Sequence, residues 1–313
     1  MGAKRKIGLI GLAVMGANLA RNLAEHGIST VVYNRSHDKT ENFLKEFGSD
    51  ANLSGAAALE ELVNSLEKPR KIILMIKAGE AVDTMIAKLI PLLEKDDILI
   101  DGGNSFFEDT RRRSRGMEAL GVHFVGMGVS GGEEGALHGP SLMPGGTREA
   151  YDALAPILKA VSAKAEGEAC VDYMGPDGAG HYVKMVHNGI EYADMQMIAD
   201  TYFVMKNVLG MTAEEMADAW ETWNKGELSS YLVEITARIL RKADEMTGKP
   251  LVDVILDVAK QKGTGRWTSM SALALGVPAP TITEAVFART MSSRKEERLV
   301  LSERYRDLAF EGT

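Results

Sequence analysis

The sequence has few of the features that mark exported, membrane-spanning or disulfide-bonded proteins. Its single cysteine, Cys170, excludes an internal disulfide bond and a zinc site built from several cysteines. No apolar run approaches the roughly 20 residues that a membrane-spanning helix needs. Residues 1–6 lead into an apolar strand rather than into a signal sequence. These absences predict a cytoplasmic protein.

Basic residues are fewer than acidic ones. The 36 Lys and Arg residues and the 44 Asp and Glu residues give a net charge of −8 at pH 7, which argues against nucleic-acid binding because a phosphate backbone requires a basic face. The densest basic run, Arg111-Arg112-Arg113, is predicted to be a solvated face of one helix. The six histidines show no His-Glu-x-x-His spacing, so we predict that no metal is bound.

Short runs rich in Val and Ile alternate with longer amphipathic segments over residues 5–175. This alternation predicts βαβ units, and therefore an α/β fold with an open, doubly wound parallel sheet whose binding crevice lies at the carboxyl ends of the strands. After the turn cluster at residues 175–178 the pattern is only helical. We predict an α/β domain over residues 1–177 and an all-α domain over residues 178–313. The predicted strands cover residues 6–10, 30–33, 71–76, 98–101 and 122–125.

A turn with two glycines follows the first predicted strand. It reads Gly11-Leu12-Ala13-Val14-Met15-Gly16 and precedes an amphipathic helix predicted from about Ala17 to Glu25. Gly11 permits a tight turn, Ala13 lets a pyrophosphate approach the backbone, and Gly16 lets helix and strand pack closely. In isolation such a turn could serve packing alone. Between the first strand and the first helix of a βαβ series it predicts a Rossmann-type dinucleotide site.

The second predicted strand ends in Asn34-Arg35-Ser36. NAD-binding folds usually carry Asp or Glu here, where the carboxylate accepts hydrogen bonds from the ribose hydroxyls. A cation at this position can pair with a 2′-phosphate, so NADP is the predicted cofactor. The alternative is that Arg35 stacks on the adenine without selecting between NAD and NADP.

A stripe of polar residues lies on a long helix predicted from residue 179 to about Val208, with Asp177 as its N-cap. The stripe contains Lys184, His187, Asn188 and Glu191, whose spacing of i, i+3, i+4 and i+7 places them on one side of the helix. A solvated helix face would show the same spacing. Apolar neighbours and nearby glycines favour partial burial, which would let a Lys and a Glu act as base and acid near neutral pH.

Several separated blocks, in order, resemble the 6-phosphogluconate dehydrogenase (decarboxylating) family. Besides the turn at residues 11–16, the segment 34–36 and the helix at residues 178–192, they are residues 77–79, 101–105, 128–136, 139–141, 143–146 and 261–265. The resemblance implies NADP-dependent oxidation of 6-phosphogluconate at C3, loss of C1 as carbon dioxide and release of ribulose 5-phosphate, a step of the pentose phosphate pathway. It also implies a homodimer.

The resemblance further implies roles for individual residues. Lys184 would take the proton of the 3-hydroxyl and later protonate the ketone oxygen, and Glu191 would protonate C1 of the enediol. Cofactor contacts would come from the turn at residues 11–16 and from Asn34, Arg35, Ser36, Lys77, Ala78 and Asn104. The substrate's hydroxyls and carboxylate would be held by Asn104, Ser130, Gly131, Gly132, His187 and Asn188, and its phosphate by Tyr192, Lys262, Thr264 and Arg289.

The resemblance extends from about residue 5 to about residue 298. Family members continue through further helices and a tail that brings an Arg and a His to the partner's phosphate site, and residues 304–313 show only a faint similarity to that tail. A truncated chain, a natural short form and an inactive relative would each fit. Two alternative functions stay open: a short β-hydroxyacid dehydrogenase of the 3-hydroxyisobutyrate type, and a non-catalytic NADP-binding protein.

Overall fold

The structure, a computed structural model, describes residues 4–306. The chain divides into two compact units, Met1–Met185 and Val186–Thr313. The last residues of the tail-like segment at 304–313 lie outside the described residues. Within the described part, no helix is both long enough and apolar enough to cross a bilayer.

The first unit is built on a seven-stranded sheet, which confirms the predicted α/β fold. Its strands lie in the order β3-β2-β1-β4-β5-β6-β7, and all neighbours run parallel except β6 and β7. The five predicted strands are present, whereas β3 and β7 were not predicted. The strands are β1 Ile7–Ile10, β2 Thr30–Tyr33, β3 Leu53–Gly55, β4 Lys71–Leu74, β5 Ile98–Asp101, β6 His123–Ser130 and β7 Ser141–Pro144.

Helices cover both faces of this sheet because successive strand residues are buried on opposite sides. On β4, Ile73 packs into one core with Leu19 and Leu154, while Ile72 packs into a second core with Leu62 and other residues. The helices of this unit are α1 Val14–Glu25, α2 His37–Phe47, α3 Leu59–Ser65, α4 Glu80–Leu89, α5 Phe107–Glu118, α6 Gly132–His138 and α7 Arg148–Val161. A two-residue hairpin, β8 Lys164–Ala165 with β9 Glu168–Ala169, follows α7.

In its described part, the second unit contains helices joined by loops, one short 3-10 helix at Leu251–Asp253 and an isolated bridge between Ala243 and Pro250. Its core contains Met205, Met216, Trp220 and Leu240. The long helix α8, Ala179–Asn207, begins in the first unit and has the predicted length of about eight turns. The other helices are α9 Ala213–Trp223, α10 Tyr231–Arg241, α11 Thr264–Leu275, α12 Pro280–Ser292 and α13 Lys295–Arg304.

Three local predictions were wrong. Helix α1 begins at Val14 and not at Ala17, so half of the predicted turn is the first helical turn. Asp177 is not the N-cap of α8, because the helix begins at Ala179 and Asp177 has a φ of 58° with its carboxylate accepting a hydrogen bond from Arg111 Nε at 2.7 Å. Arg113 is not part of a solvated face, because its side chain is buried and paired with Asp83.

Candidate functional site

The glycine turn lies at the carboxyl end of β1, and its two glycines are required by the backbone around them. Gly11 has a φ of 105°, and a Cβ there would clash with the carbonyl oxygen of Met75. A Cβ on Gly16 would clash with the carbonyl oxygen of Gly11. Helix α1 therefore starts immediately against the end of β1, which is the close approach that a pyrophosphate site needs.

The N-terminus of α1 is suited to hold phosphate. Ala13 occupies the N-cap position and provides no side-chain hydrogen bond to the first turn, and both Ala13 and Val14 are exposed. The N–H groups at such a helix end carry a partial positive charge and attract anions. Leu12 N–H donates to Asn34 Oδ1 at 3.1 Å, which ties the turn to the end of β2.

The residues after β2 divide into a structural and an exposed part. Besides accepting from Leu12, the side chain of Asn34 donates to the Ser36 carbonyl oxygen at 3.1 Å. The side chains of Arg35 and Ser36 are exposed, and among residues 4–306 the Arg35 guanidinium has no hydrogen-bond partner. These features fit an NADP molecule, whose 2′-phosphate needs a cation at this position.

The loops after β4 and β5 pack directly on each other. A Cβ on Gly102 would lie 2.6 Å from Met75 Sδ, and one on Gly103 would lie 3.2 Å from the Ile76 carbonyl oxygen. Lys77 and Asn104, the polar residues predicted to contact ligands, are both exposed on these loops, and Ala78 is half-buried. The ends of β1, β4 and β5 thus form one continuous edge.

Lys184 lies on α8 and is buried against β6. It is only 6% exposed, and a Cβ on Gly128 would lie 2.5 Å from Lys184 Cβ and 2.9 Å from its Cγ. One turn earlier, a Cβ on Gly180 would clash with the carbonyl oxygens of Gly126 and Met143. The glycines on both elements allow α8 to approach the strand closely enough to bury the lysine stem.

His181 shares this contact surface and was not predicted as a site residue. It is 1% exposed, and a hydrogen bond of 2.6 Å joins its Nδ1 to Thr110 Oγ1. Burial lowers the pKa of His181 below its ordinary value, while the charge of Asp101 opposes this shift. The spacing of i to i+3 between His181 and Lys184 indicates that both lie on one side of the helix. Nothing else in the sequence distinguishes His181 from an ordinary core histidine.

The substrate residues predicted on β6 and α6 surround a tight turn. Ser130 ends β6 and is nearly buried, and Gly131 and Gly132 follow it with φ values of 126° and 63°. Such angles disfavour residues with a side chain, and both glycines are exposed, so their backbone can be reached by a ligand.

In the second unit, the structure brings together Tyr192, Thr264 and Arg289 from three helices. The Arg289 guanidinium carbon lies 3.8 Å from the centroid of the Tyr192 ring. A Cβ on Gly265, the residue after Thr264, would lie 2.6 Å from Tyr192 Cδ2. Thr264 begins α11, whose N-cap Gly263 provides no side-chain hydrogen bond, and exposed Lys262 stands just before it.

The remaining predicted residues lie on the part of α8 that belongs to the second unit. His187 Nδ1 and Glu191 Oε2 are 3.5 Å apart, and both side chains are half-buried. Asn188 is also half-buried. Among the described residues, no group of three or more His, Cys, Asp or Glu side chains is arranged to hold a metal ion.

The sheet order, the glycine turn and the exposed cation after β2 define a Rossmann-class dinucleotide-binding protein with a helical second unit. The sequence model of the NAD binding domain of 6-phosphogluconate dehydrogenase matches residues 6–175, and that of its C-terminal domain matches residues 180–311. The chain therefore belongs to the 6-phosphogluconate dehydrogenase family.

Similar proteins carry the same name. The NADP(+)-dependent, decarboxylating 6-phosphogluconate dehydrogenase of Bacillus subtilis is 62% identical over 300 residues, which cover 96% of this chain and 64% of the relative. That of Synechococcus elongatus is 56% identical, with coverages of 96% and 64%. The chain thus spans less than two thirds of the length of these relatives.

Solved structures include two informative neighbours. A Plasmodium falciparum 6-phosphogluconate dehydrogenase, described in apo form and in complex with its cofactor NADP+ or its substrate 6-phosphogluconate, has a TM-score of 0.91 and 47% identity, covering 96% of this chain and 64% of that one. A 3-hydroxyisobutyrate dehydrogenase from Salmonella typhimurium has a TM-score of 0.70 at 19% identity, covering 94% and 95%. The second likeness concerns the fold alone.

Proposed function

We propose that this chain catalyses the NADP-dependent oxidative decarboxylation of 6-phosphogluconate to ribulose 5-phosphate and carbon dioxide. The observation that carries the proposal is the burial of Lys184 on β6, in the same unit as the loops suited to a dinucleotide. The names of the relatives and the ligands of the Plasmodium structure support the same reaction.

The cofactor would be held by groups at the edge of the sheet. The N–H groups at the start of α1 would face the pyrophosphate, Arg35 and Ser36 would face the 2′-phosphate, and exposed Lys77 and Asn104 would contact the rest of the molecule. Bound NADP+ would supply the hydride acceptor for the oxidation at C3.

Lys184 would carry out the proton transfers at C3. Its neutral amine would take the proton of the 3-hydroxyl while the hydride leaves C3, giving a 3-keto acid and an ammonium group. The ammonium would then stabilise and protonate the ketone oxygen as the C1–C2 bond breaks and carbon dioxide leaves. Glu191 would finally deliver a proton to C1 of the enediol, while the now neutral Lys184 takes back the proton of the C2 hydroxyl, which gives the ketone of ribulose 5-phosphate.

The substrate would be positioned by the two sets of residues described above. Ser130 and the accessible N–H groups of Gly131 and Gly132 would bind the carboxylate and hydroxyls together with Asn104, His187 and Asn188. The phosphate would be bound by the Tyr192 hydroxyl, the N-terminus of α11 at Thr264 and the cations of Lys262 and Arg289, because a dianion is best held by paired cations and helix N–H groups.

We also propose a homodimer in the cytoplasm. The support for a dimer is the family resemblance together with the exposed apolar side chains of the helical unit, among them Phe203 and Leu273.

The proposed reaction can be tested by following NADPH formation with 6-phosphogluconate and, separately, with 3-hydroxyisobutyrate. We expect turnover with the first substrate, and Lys184→Met should lower kcat by about 100-fold to 10,000-fold, the range for loss of a general base. The control Lys88→Met removes an exposed lysine of α4 and should leave turnover unchanged.

Three outcomes would contradict the proposal. Equal or faster turnover of 3-hydroxyisobutyrate would favour the alternative dehydrogenase. Tight binding of NADP+ in calorimetry without any NADPH formation would favour a non-catalytic protein. Wild-type turnover by Lys184→Met would rule out the proposed base.

A further inference from the structure

Arg113 is a buried arginine on α5, the helix that also carries the exposed Arg112 and Arg115. Its side chain is 1% exposed, compared with 58% for Arg112. Its Nε and Nη2 donate to the two carboxylate oxygens of Asp83 at 3.0 and 2.8 Å. Burying a guanidinium is costly unless it is well paired, and the two hydrogen bonds to Asp83 offset that cost.

The contacts of Arg113 connect two loops. Its Nη2 also donates to the Gly79 carbonyl oxygen at 3.0 Å, at the end of the loop that carries Lys77 and Ala78. Its Nη1 lies 3.6 Å from Asp101 Oδ2, at the start of the loop that carries Asn104. One side chain therefore touches both loops that follow β4 and β5.

Asp101 connects Arg113 to the loop after β5. It is fully buried, and its two carboxylate oxygens accept hydrogen bonds from Gly103 N–H at 3.0 Å and from Ser105 Oγ at 2.6 Å. Asn104 lies between these two donors, so the carboxylate fixes the backbone on both sides of it.

The other loop depends on Arg113 in a similar way. Gly79 is the N-cap of α4 and has a φ of 92°, and its carbonyl also accepts from Val82 N–H at 2.9 Å. The planar guanidinium can pair with Asp83 and reach Gly79 at the same time. A lysine ammonium lacks this fork of donors.

We propose that Arg113 is a positioning residue, which sets the distance between the loops carrying Lys77 and Asn104 so that both reach one dinucleotide. This inference rests on the proposed binding of NADP. Arg113 does not touch the ligand itself, and its effect passes through Gly79, Asp83 and Asp101.

The test compares Arg113→Lys, Asp83→Asn and the control Arg115→Met in the full chain, with NADP+ affinity measured by calorimetry. We expect Arg113→Lys to bind NADP+ about tenfold more weakly, since a displacement of about 1 Å is enough for losses of this size. Asp83→Asn keeps the buried Arg113 beside Asp101 and should show a smaller loss. Arg115→Met should bind normally, because Arg115 is exposed on α5 and, within residues 4–306, has no hydrogen bond to Asp83 or to either loop.

A second measurement follows amide hydrogen exchange in the ligand-free proteins. Arg113→Lys should exchange faster than wild type at residues 77–79 and 101–104, with unchanged exchange in β1 and β2. Wild-type NADP+ affinity together with wild-type loop exchange in both variants would overturn the inference. If the unmodified chain does not bind NADP+, the proposed function fails, and the loop exchange alone decides whether Arg113 orders the two loops.

Discussion

Arg35 and Arg113 show how differently the same residue type is used in one domain. Arg35 is exposed at the end of β2 and, within the described residues, has no hydrogen-bond partner, whereas Arg113 is enclosed by Asp83, Gly79 and Asp101. The first arrangement leaves a cation accessible to a ligand. The second uses the cation to hold the protein's own loops.

Reversing the charge of Arg35 should change the cofactor preference. Arg35→Asp would place a carboxylate beside the 2′-phosphate, and the loss of a charged hydrogen bond worth about 1.5 to 3 kcal/mol corresponds to about 10-fold to 100-fold weaker NADP+ binding. Binding of NAD+, which lacks this phosphate, should be unchanged or tighter. The measurement is the ratio of the two dissociation constants.

The matched control for this prediction is Lys39→Asp, which makes the same charge change at an exposed position of α2. It separates a local effect from a change in the net charge of the domain. An equal weakening of NADP+ binding in both variants would show that Arg35 does not select the cofactor.

Sequence reasoning could place Arg35 but not Arg113. Arg35 follows directly from its position after a predicted strand in a βαβ series. Arg113 stands in a run of three arginines, and its burial depends on an aspartate of another helix, Asp83, and on one at the end of a strand, Asp101. The charge run alone therefore favoured a solvated face, because such partners are fixed only by the tertiary structure.

At the scale of elements, the close packing of α8 on β6 depends on glycines in both. We predict that Gly180→Ala lowers the melting temperature and the affinity for NADP+, because the added methyl group would collide with the carbonyl oxygens of Gly126 and Met143, which are backbone atoms and cannot turn aside. Overpacking of this kind costs about 1–3 kcal/mol or more. Thermal unfolding followed by circular dichroism measures the first effect.

Gly116→Ala is the control for this substitution. Gly116 lies within α5, and nothing stands within 4 Å of the position where its Cβ would be. Alanine should raise stability there, since it reduces the freedom of the unfolded chain. Equal melting temperatures for Gly180→Ala and wild type would mean that α8 can move away from β6 at no cost.

The strands that were predicted from the sequence have a local apolar pattern, whereas those that were missed depend on contacts with other elements. The buried parallel strands are continuous apolar runs, and they were predicted close to their true bounds. The fifth strand was predicted to end at Val125, but β6 continues through Gly126 and Gly128 to Ser130. The two glycines allow the close approach of α8. The antiparallel strand β7 forms by pairing with β6, and this pairing cannot be predicted from the local sequence.

At the scale of the whole molecule, several ion pairs couple folding to pH. Hydrogen bonds from Arg113 lower the pKa of Asp83 to about 2, and those from Lys295 lower the pKa of Asp257 below its ordinary range. A carboxylate whose pKa is lower in the folded state stabilises the fold above its unfolded pKa and loses that effect as the pH falls. The stabilisation by these two carboxylates is therefore lost only as the pH falls below about 4.

His181 should change the free energy of unfolding at a higher pH than these carboxylates do. Its pKa in the folded protein is lowered mainly by burial, so below about pH 6.5 the unfolded chain binds a proton that the folded chain does not. The free energy of unfolding should then fall by up to about 1.4 kcal/mol per pH unit. His181→Gln should remove this slope between about pH 6 and 5 while keeping a polar partner for Thr110.

The pH effect of His181 can be localised to the first unit. All three tryptophans, Trp220, Trp223 and Trp267, lie in the second unit, so their fluorescence would report unfolding there and not around His181. Unfolding of the first unit is therefore measured by urea-dependent hydrogen exchange of the β6 peptide at several pH values. His138→Gln, which changes an exposed histidine of α6, should keep the wild-type slope. An unchanged slope in His181→Gln would mean that the buried imidazole is protonated in the folded protein, with the charge of Asp101 outweighing the cost of burial.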